Sequence, residues 1–230
     1  MAQRWKRLTP PLAGVALVAL VVVGLFLQDT PDAGSSGAKV IDYYTTHEGR
    51  TGASLVIFGY AGVMSIIFYA GLATYLRRRG AELTATLTVA GGVVFGASLC
   101  LASGTAAVLL DGTDKLSPQA AEALNRVSED LFWVMMIAGL MIATLSMGIA
   151  MLQTKSMPKA LGIVTVVVGV VAASGIGGWF AFMGSGPLIL VIAGYLYQRT
   201  GQPDAITIPD VPDQRASAPA VEAPRSKTKA

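Results

Sequence analysis

Residues 43–79 read YYTTHEGRTGASLVIFGYAGVMSIIFYAGLATYLRRR. Three parts of unlike chemistry follow one another here. A polar, aromatic lead-in carries Tyr43, Tyr44, His47, Glu48 and Arg50; an apolar run fills 55–76; Arg77, Arg78 and Arg79 close the stretch. A run of about 22 residues covers about 33 Å as a helix, enough for a hydrocarbon core of roughly 30 Å. The arginines suit the helix C-terminus, where the backbone dipole is negative. The stretch predicts a membrane-crossing helix with a polar vestibule at one end and a cationic lock at the other.

The composition agrees with that reading. Of 230 residues, 53% are hydrophobic and only 13% charged, and the mean hydropathy is +0.59. A soluble domain carries about 25% charged residues, so lipid is the expected solvent. The formal charge of +3 fits basic loops on the cytoplasmic side of a membrane. No basic patch is interleaved with aromatics, so nucleic acid is not an expected partner. One cysteine, Cys100, excludes an intrachain disulfide and a cysteine-based zinc site. One histidine, His47, excludes a multi-histidine metal site. No metal or cofactor is expected.

The apolar runs predict an all-α bundle of six spans, at about 11–28, 54–76, 85–110, 131–152, 160–176 and 178–198. The first run follows Arg4, Lys6 and Arg7, a pattern that also describes a signal peptide. The residues after it, LQDTPDAGSS, offer no clean small-x-small cleavage site, which favours an uncleaved span. Val40, Ile41, Tyr44 and His47 recur at helical steps and predict a short amphipathic helix, with Gly49 and Gly52 as candidate breaks before the second span. In the third span Gly92 and Gly96 form a small-x-x-x-small pair for close helix packing, with Cys100 as a small packing residue one turn on. Ser117 and Pro118 look like a helix N-cap followed by proline at the first helical position. From there Ala120, Leu124, Val127 and Leu131 share one face, while Gln119, Glu122, Arg126 and Glu129 point elsewhere. This second amphipathic helix is expected to run into the fourth span. Residues 201–230 read as a disordered tail.

Basic residues cluster at the N-terminus, at Arg77 to Arg79, at Lys155 and Lys159, and at Arg199. The positive-inside rule then places both termini in the cytoplasm and both amphipathic helices outside. The predicted spans hold no acidic, basic or histidine side chain at mid-membrane depth, which argues against a proton-coupled carrier. The chemical variety lies at the outer face instead: Tyr44, His47, Glu48, Arg50, Asp111, Asp114, Glu129 and Asp130 should share one depth. One histidine with carboxylates has the makings of a divalent-cation site or an acid–base pair, although charged groups are ordinary at water-facing helix ends. No spacing matches a known ligand motif, and no catalytic residue is assigned.

The segments VIDYYTTHEGRTGASLVIFG, YLRRR and LSPQAAEALNRVSEDLFW resemble a broad group of small bacterial six-span membrane proteins of unknown function. Tyr44, His47 and Arg50 fall where that group has a Y-x-x-H helix before its second span. Pro118, Ala121 and Leu124 fall where it has an Ala-rich P-x-x-A-x-x-L segment before its fourth. The resemblance covers 38–199; it implies a six-span protein of the bacterial cell membrane and carries no activity with it.

Three functions are open at this point. The first is a non-enzymatic protein that packs with other membrane proteins of the envelope, with lipid as its other partner. The second is a small channel or facilitator for an uncharged solute. The third is a sensor or enzyme using the cluster of His47, Glu48, Asp111 and Asp114.

Overall fold

The computed structural model describes residues 2–27, 30–175 and 177–200. The tail expected at 201–230 lies outside them. Seven helices follow in order: α1 (Ala2–Leu27), α2 (Gly37–Thr46), α3 (Glu48–Arg77), α4 (Glu82–Asp111), α5 (Pro118–Thr154), α6 (Lys159–Ala173) and α7 (Gly178–Thr200). No strand occurs among the described residues.

Five of these helices are long and apolar enough to cross a membrane: Leu8–Leu27 within α1, all of α3, α4 and α5, and Gly178–Arg199 within α7. Their outward faces are apolar, with Phe26, Val134 and Phe180 exposed by 78%, 66% and 73%. Contiguous apolar exteriors of this kind face lipid or a partner rather than water. Of the other two, α2 is short and amphipathic, and α6 differs from the expected span at 160–176. It has 15 residues, about 22 Å, short of a hydrocarbon core of roughly 30 Å. The apolar run continues past Ala173, but Gly175 takes a left-handed φ of 71° and turns the chain there.

Leaving α2 aside, the helices close into a ring. Helix α1 packs on α3, α3 on α4, α4 on α5, α5 on α6, α6 on α7, and α7 returns to α1. Ala13 and Leu17 of α1 are buried, and Gly14 lies between Phe68 of α3 and Ala193 of α7. Helix α6 runs antiparallel to α5. Its Gly162 meets Leu152 and its Gly169 meets Leu145, while Gly178, at the start of α7, meets Ile137. The short helix therefore runs back along α5 from Leu152 to Leu145, and the turn after it brings Gly178 beside Ile137.

Close backbone packing surrounds α4 on two sides. A Cβ on Gly91 would meet the Ala143 nitrogen of α5 at 2.3 Å, and one on Gly139 would meet the Phe95 nitrogen at 2.4 Å. On the other side, a Cβ on Gly96 would meet the Gly62 oxygen at 2.7 Å and one on Gly92 would meet Tyr69. Glycine allows these backbone approaches because it has no side chain to separate the axes. Cys100 lies over the same contact: its thiol points at the Gly59 carbonyl, 3.8 Å away, and a Cβ on Gly62 would meet its sulfur at 2.6 Å. Between helices, Ser65 donates to the Gly92 carbonyl at 3.2 Å and the Thr88 and Ser146 hydroxyls pair at 3.0 Å. Hydroxyls in an apolar bundle need such partners, because no water is there to take their place.

The two ends of the ring differ chemically. At the arginine end, Tyr75 of α3 and Tyr195 of α7 both donate to the Ser156 carbonyl, at 3.0 and 3.3 Å. Arg79 lies 4.6 Å over the Tyr75 ring, and Arg199 lies over the Tyr195 ring and donates to its hydroxyl at 2.7 Å. At the opposite end, α2 and the first three turns of α5 fold over the ring as a cap.

Candidate functional site

The cap is assembled from three segments remote in sequence. Helix α2 buries Val40 and Tyr44 against Ala106 and Leu109 of α4 and Ala121 of α5. It meets the start of α5 so closely that a Cβ on Gly37 would fall 1.6 Å from the Pro118 carbonyl oxygen. Ser117 caps α5, accepting from the Ala120 amide at 3.2 Å, with Pro118 in the first turn. Helix α5 then runs unbroken for 37 residues, about 55 Å, so that its beginning rises above the apolar segment at 131–152. The third segment is the connection after α1. Asn125, buried on α5, donates to the Pro31 and Asp32 carbonyls at 3.3 and 3.2 Å and ties this connection down.

These segments, with Leu25 of α1 and Ala102 and Ala106 of α4, border a half-open cavity of about 170 Å³, close in volume to a cavity that holds benzene, about 150 Å³. Tyr44, Phe132 and Trp133 supply aromatic walls, and Asn125, Ser128 and Glu129 supply polar groups. Ser128 is in turn paired with Thr105 of α4. Glu129 is the unusual member. Its Oε2 is shielded from solvent and has no hydrogen-bond partner. Loss of water raises its pKa, and the nearby Asp32 and Asp130 raise it further, against a lowering by a hydrogen bond from the Ala33 backbone. The Tyr44 hydroxyl is pushed up to about 12, chiefly by burial and secondarily by Tyr43 and Glu129. A carboxylate so placed favours either a proton or a cation beside its free oxygen.

Of the eight residues expected at the outer face, the fold brings Tyr44 and Glu129 to this cavity. Asp130 lies beside it, exposed. The other five do not line it. His47 stacks on Tyr43 with ring centroids 4.5 Å apart, and its Nδ1 is 3.1 Å from the Tyr43 carbonyl. That carbonyl only accepts, so Nδ1 carries the proton. His47 is also the break between α2 and α3, at φ −112° and ψ 26°. Gly49 and Gly52, the expected breaks, lie inside α3. Glu48 and Arg50 are exposed, and Arg50 donates to the Phe26 carbonyl at 2.8 Å. Asp111 is exposed at the end of α4, and Asp114 pairs with Lys115 at 3.9 Å. Among the described residues no group of three or more His, Cys, Asp or Glu side chains is arranged to hold a metal ion.

The face of α5 that looks inward also differs from the amphipathic expectation. Val127 and Leu131 are exposed by 56% and 41%, while Asn125 and Glu129 turn toward the cavity. The chain's single asparagine was the available signal. An amide on a helix face otherwise made of Ala121, Ser128 and Phe132 needs partners, and the turn at 31–32 provides them.

Compared with known proteins, the chain matches no family model, no curated protein and no solved structure.

Proposed function

We propose that this chain is a non-enzymatic, multi-pass protein of the bacterial cell membrane whose outer cap binds a small organic cation. The observation that carries the reading is the Glu129 Oε2, shielded and without a partner in a cavity walled by Tyr44, Phe132 and Trp133. A positively charged nitrogen supplies the counter-charge that this oxygen lacks, and aromatic faces attract cations as well as burying their methyl groups. The size, about 170 Å³, suits a ligand of roughly six to eight non-hydrogen atoms when set against benzene in a cavity of about 150 Å³. The lining pairs one carboxylate with aromatic faces, and binding is the chemistry that this reading assigns to it.

Six crossings with both termini in the cytoplasm follow from two supports. Helix α6 runs antiparallel along α5, and a locally thinned bilayer accommodates a short helix as a sixth crossing at modest cost. Arg77, Arg78, Arg79, Lys155, Lys159 and Arg199 all lie at the end away from the cap, which the positive-inside rule assigns to the cytoplasm. The bacterial compartment is part of the same proposal and rests on the resemblance read from the residues at 38–199. A facilitator draws less support, because α3 meets α4 and α4 meets α5 backbone to backbone, which leaves no continuous space between these neighbours.

The test is calorimetric titration of the full chain in detergent with choline and with its uncharged carbon isostere, dimethylbutanol. Choline is expected to bind and the isostere to bind at least tenfold more weakly, with Glu129→Gln erasing the difference. Equal binding of the two compounds, or choline binding untouched by Glu129→Gln, refutes the proposal.

A further inference from the structure

A second concavity lies at the opposite end of the ring, between α6 and α7. It has a volume of about 690 Å³, some four times that of the cap cavity. Its walls are apolar along Leu161 and Val164 of α6 and Leu188 and Val191 of α7, and Tyr195 and Gln198 stand at its mouth. Gly184 and Gly194 form part of the floor, and a Cβ at either would meet nothing within 4 Å. From Gly184 to Tyr195 is about 16 Å along a helix, close to half of a hydrocarbon core of roughly 30 Å. The groove is therefore one leaflet deep.

Two cationic residues, Lys159 and Arg199, adjoin lining residues at the mouth. Pro158 and Ala160 line the groove on either side of Lys159, which is exposed and makes no ion pair among the described residues. Arg199 is anchored on Tyr195, its guanidinium 2.7 Å from the Tyr195 hydroxyl. Among the described residues, Glu82 is the single carboxylate at this end; the others lie at the cap end. From these features we infer that the α6–α7 groove is a binding site for one anionic phospholipid of the adjoining leaflet. Its acyl chains lie along the glycine floor and its phosphate meets Lys159 and Arg199. Basic pockets between membrane helices hold anionic headgroups by this combination of charge and apolar contact. The inference rests on the membrane reading above but not on Glu129, so failure of cation binding at the cap leaves it standing.

The experiment is native mass spectrometry of the full chain in detergent, titrated with phosphatidylglycerol or with phosphatidylcholine. Phosphatidylglycerol should be retained as a one-to-one adduct at a concentration at least fivefold lower than phosphatidylcholine. Lys159→Gln should cut that preference about fivefold. The pair Gly184→Leu and Gly194→Leu, which fills the groove, should weaken both lipids. Three results overturn the inference: equal retention of the two lipids by the unaltered chain, unchanged lipid binding by the groove-filled variant, or displacement of the lipid by free glycerol phosphate. The comparison on the unaltered chain decides the matter even where a variant does not fold.

Discussion

Replacing Gly139 by alanine should loosen the ring at a close backbone contact. The new Cβ would lie 2.4 Å from the Phe95 nitrogen and 2.9 Å from the Gly91 oxygen, where ordinary contact begins at 3.4 Å. Both obstacles are backbone, so no side chain can rotate away, and α4 and α5 must separate by about 1 Å. A radial gap of about 0.5–1 Å removes a quarter to a half of the dispersion attraction between facing atoms. Overpacking of this kind costs about 1–3 kcal/mol, and a contact closed on two sides by backbone belongs at the upper end. Alanine's better helix propensity offsets about 0.5–1 kcal/mol, leaving a net loss of about 2 kcal/mol. Gly104→Ala is the control: its Cβ would meet nothing within 4 Å, so it should stabilise by about 0.5–1 kcal/mol. Unfolding of the full chain in mixed micelles, driven by a denaturing detergent and followed by far-ultraviolet circular dichroism, measures both. Gly91→Ala combined with Gly139→Ala should cost less than the sum of the two, because helices once parted admit the second methyl freely. A Gly139→Ala protein as stable as the Gly104→Ala protein would show that the helices are not in contact at this point.

The cap yields further tests. Asn125→Leu leaves the Pro31 and Asp32 carbonyls without their donor; it should cost about 1–3 kcal/mol and speed amide exchange at Ser35 while exchange at mid-α4 stays slow. Glu129, whose pKa is raised in the fold, holds its proton more firmly folded than unfolded. Its contribution to stability is complete below its unfolded value, about 4.3, and is lost as pH rises through the folded value. The thermal midpoint of the unliganded protein should therefore fall over that window, and Glu129→Gln should remove this part of the slope. Tyr44, pushed up to about 12, should add an alkaline loss between its ordinary value near 10 and 12, on the order of 2–3 kcal/mol. Tyr44→Phe should flatten that limb of the melting curve; an unchanged limb would mean that the hydroxyl is hydrated.

What could be read from the chain depended on the range of the interaction. Apolar runs, the arginines at 77–79 and the Ser117–Pro118 cap are local features, and helices start and stop on local chemistry. The short α6 was hidden because its apolar run does not end where the helix does; a left-handed Gly175 inside the run makes the turn. The glycine pair noted at Gly92 and Gly96 does face a neighbouring helix, α3. Its counterpart at Gly91 and Gly139 pairs single glycines on two different helices, so no spacing within one helix signals it. The cavity was hard to see for a different reason. Amphipathic analysis assumes water outside, and on α5 that assumption sends Val127 inward and Glu129 outward. The fold reverses them, because Asn125 and Glu129 find backbone partners at 31–33, a connection almost a hundred residues earlier.

The closure of the ring sets a timetable for biogenesis. Gly14 rests against both Phe68 and Ala193, so one side of α1 receives its neighbour early and the other waits for nearly the whole chain. At about 5–20 residues per second, the 179 residues from Gly14 to Ala193 take roughly 10–40 s to synthesise. Throughout that interval the newborn first helix keeps an unfilled flank in the bilayer. Whatever shields that flank, whether lipid or an insertion factor, must leave before α7 can dock and the two tyrosines can fasten on Ser156. The last helix is thus the latch of the assembly, and a ribosome stalled before residue 178 would leave an open arc in the membrane instead of a ring.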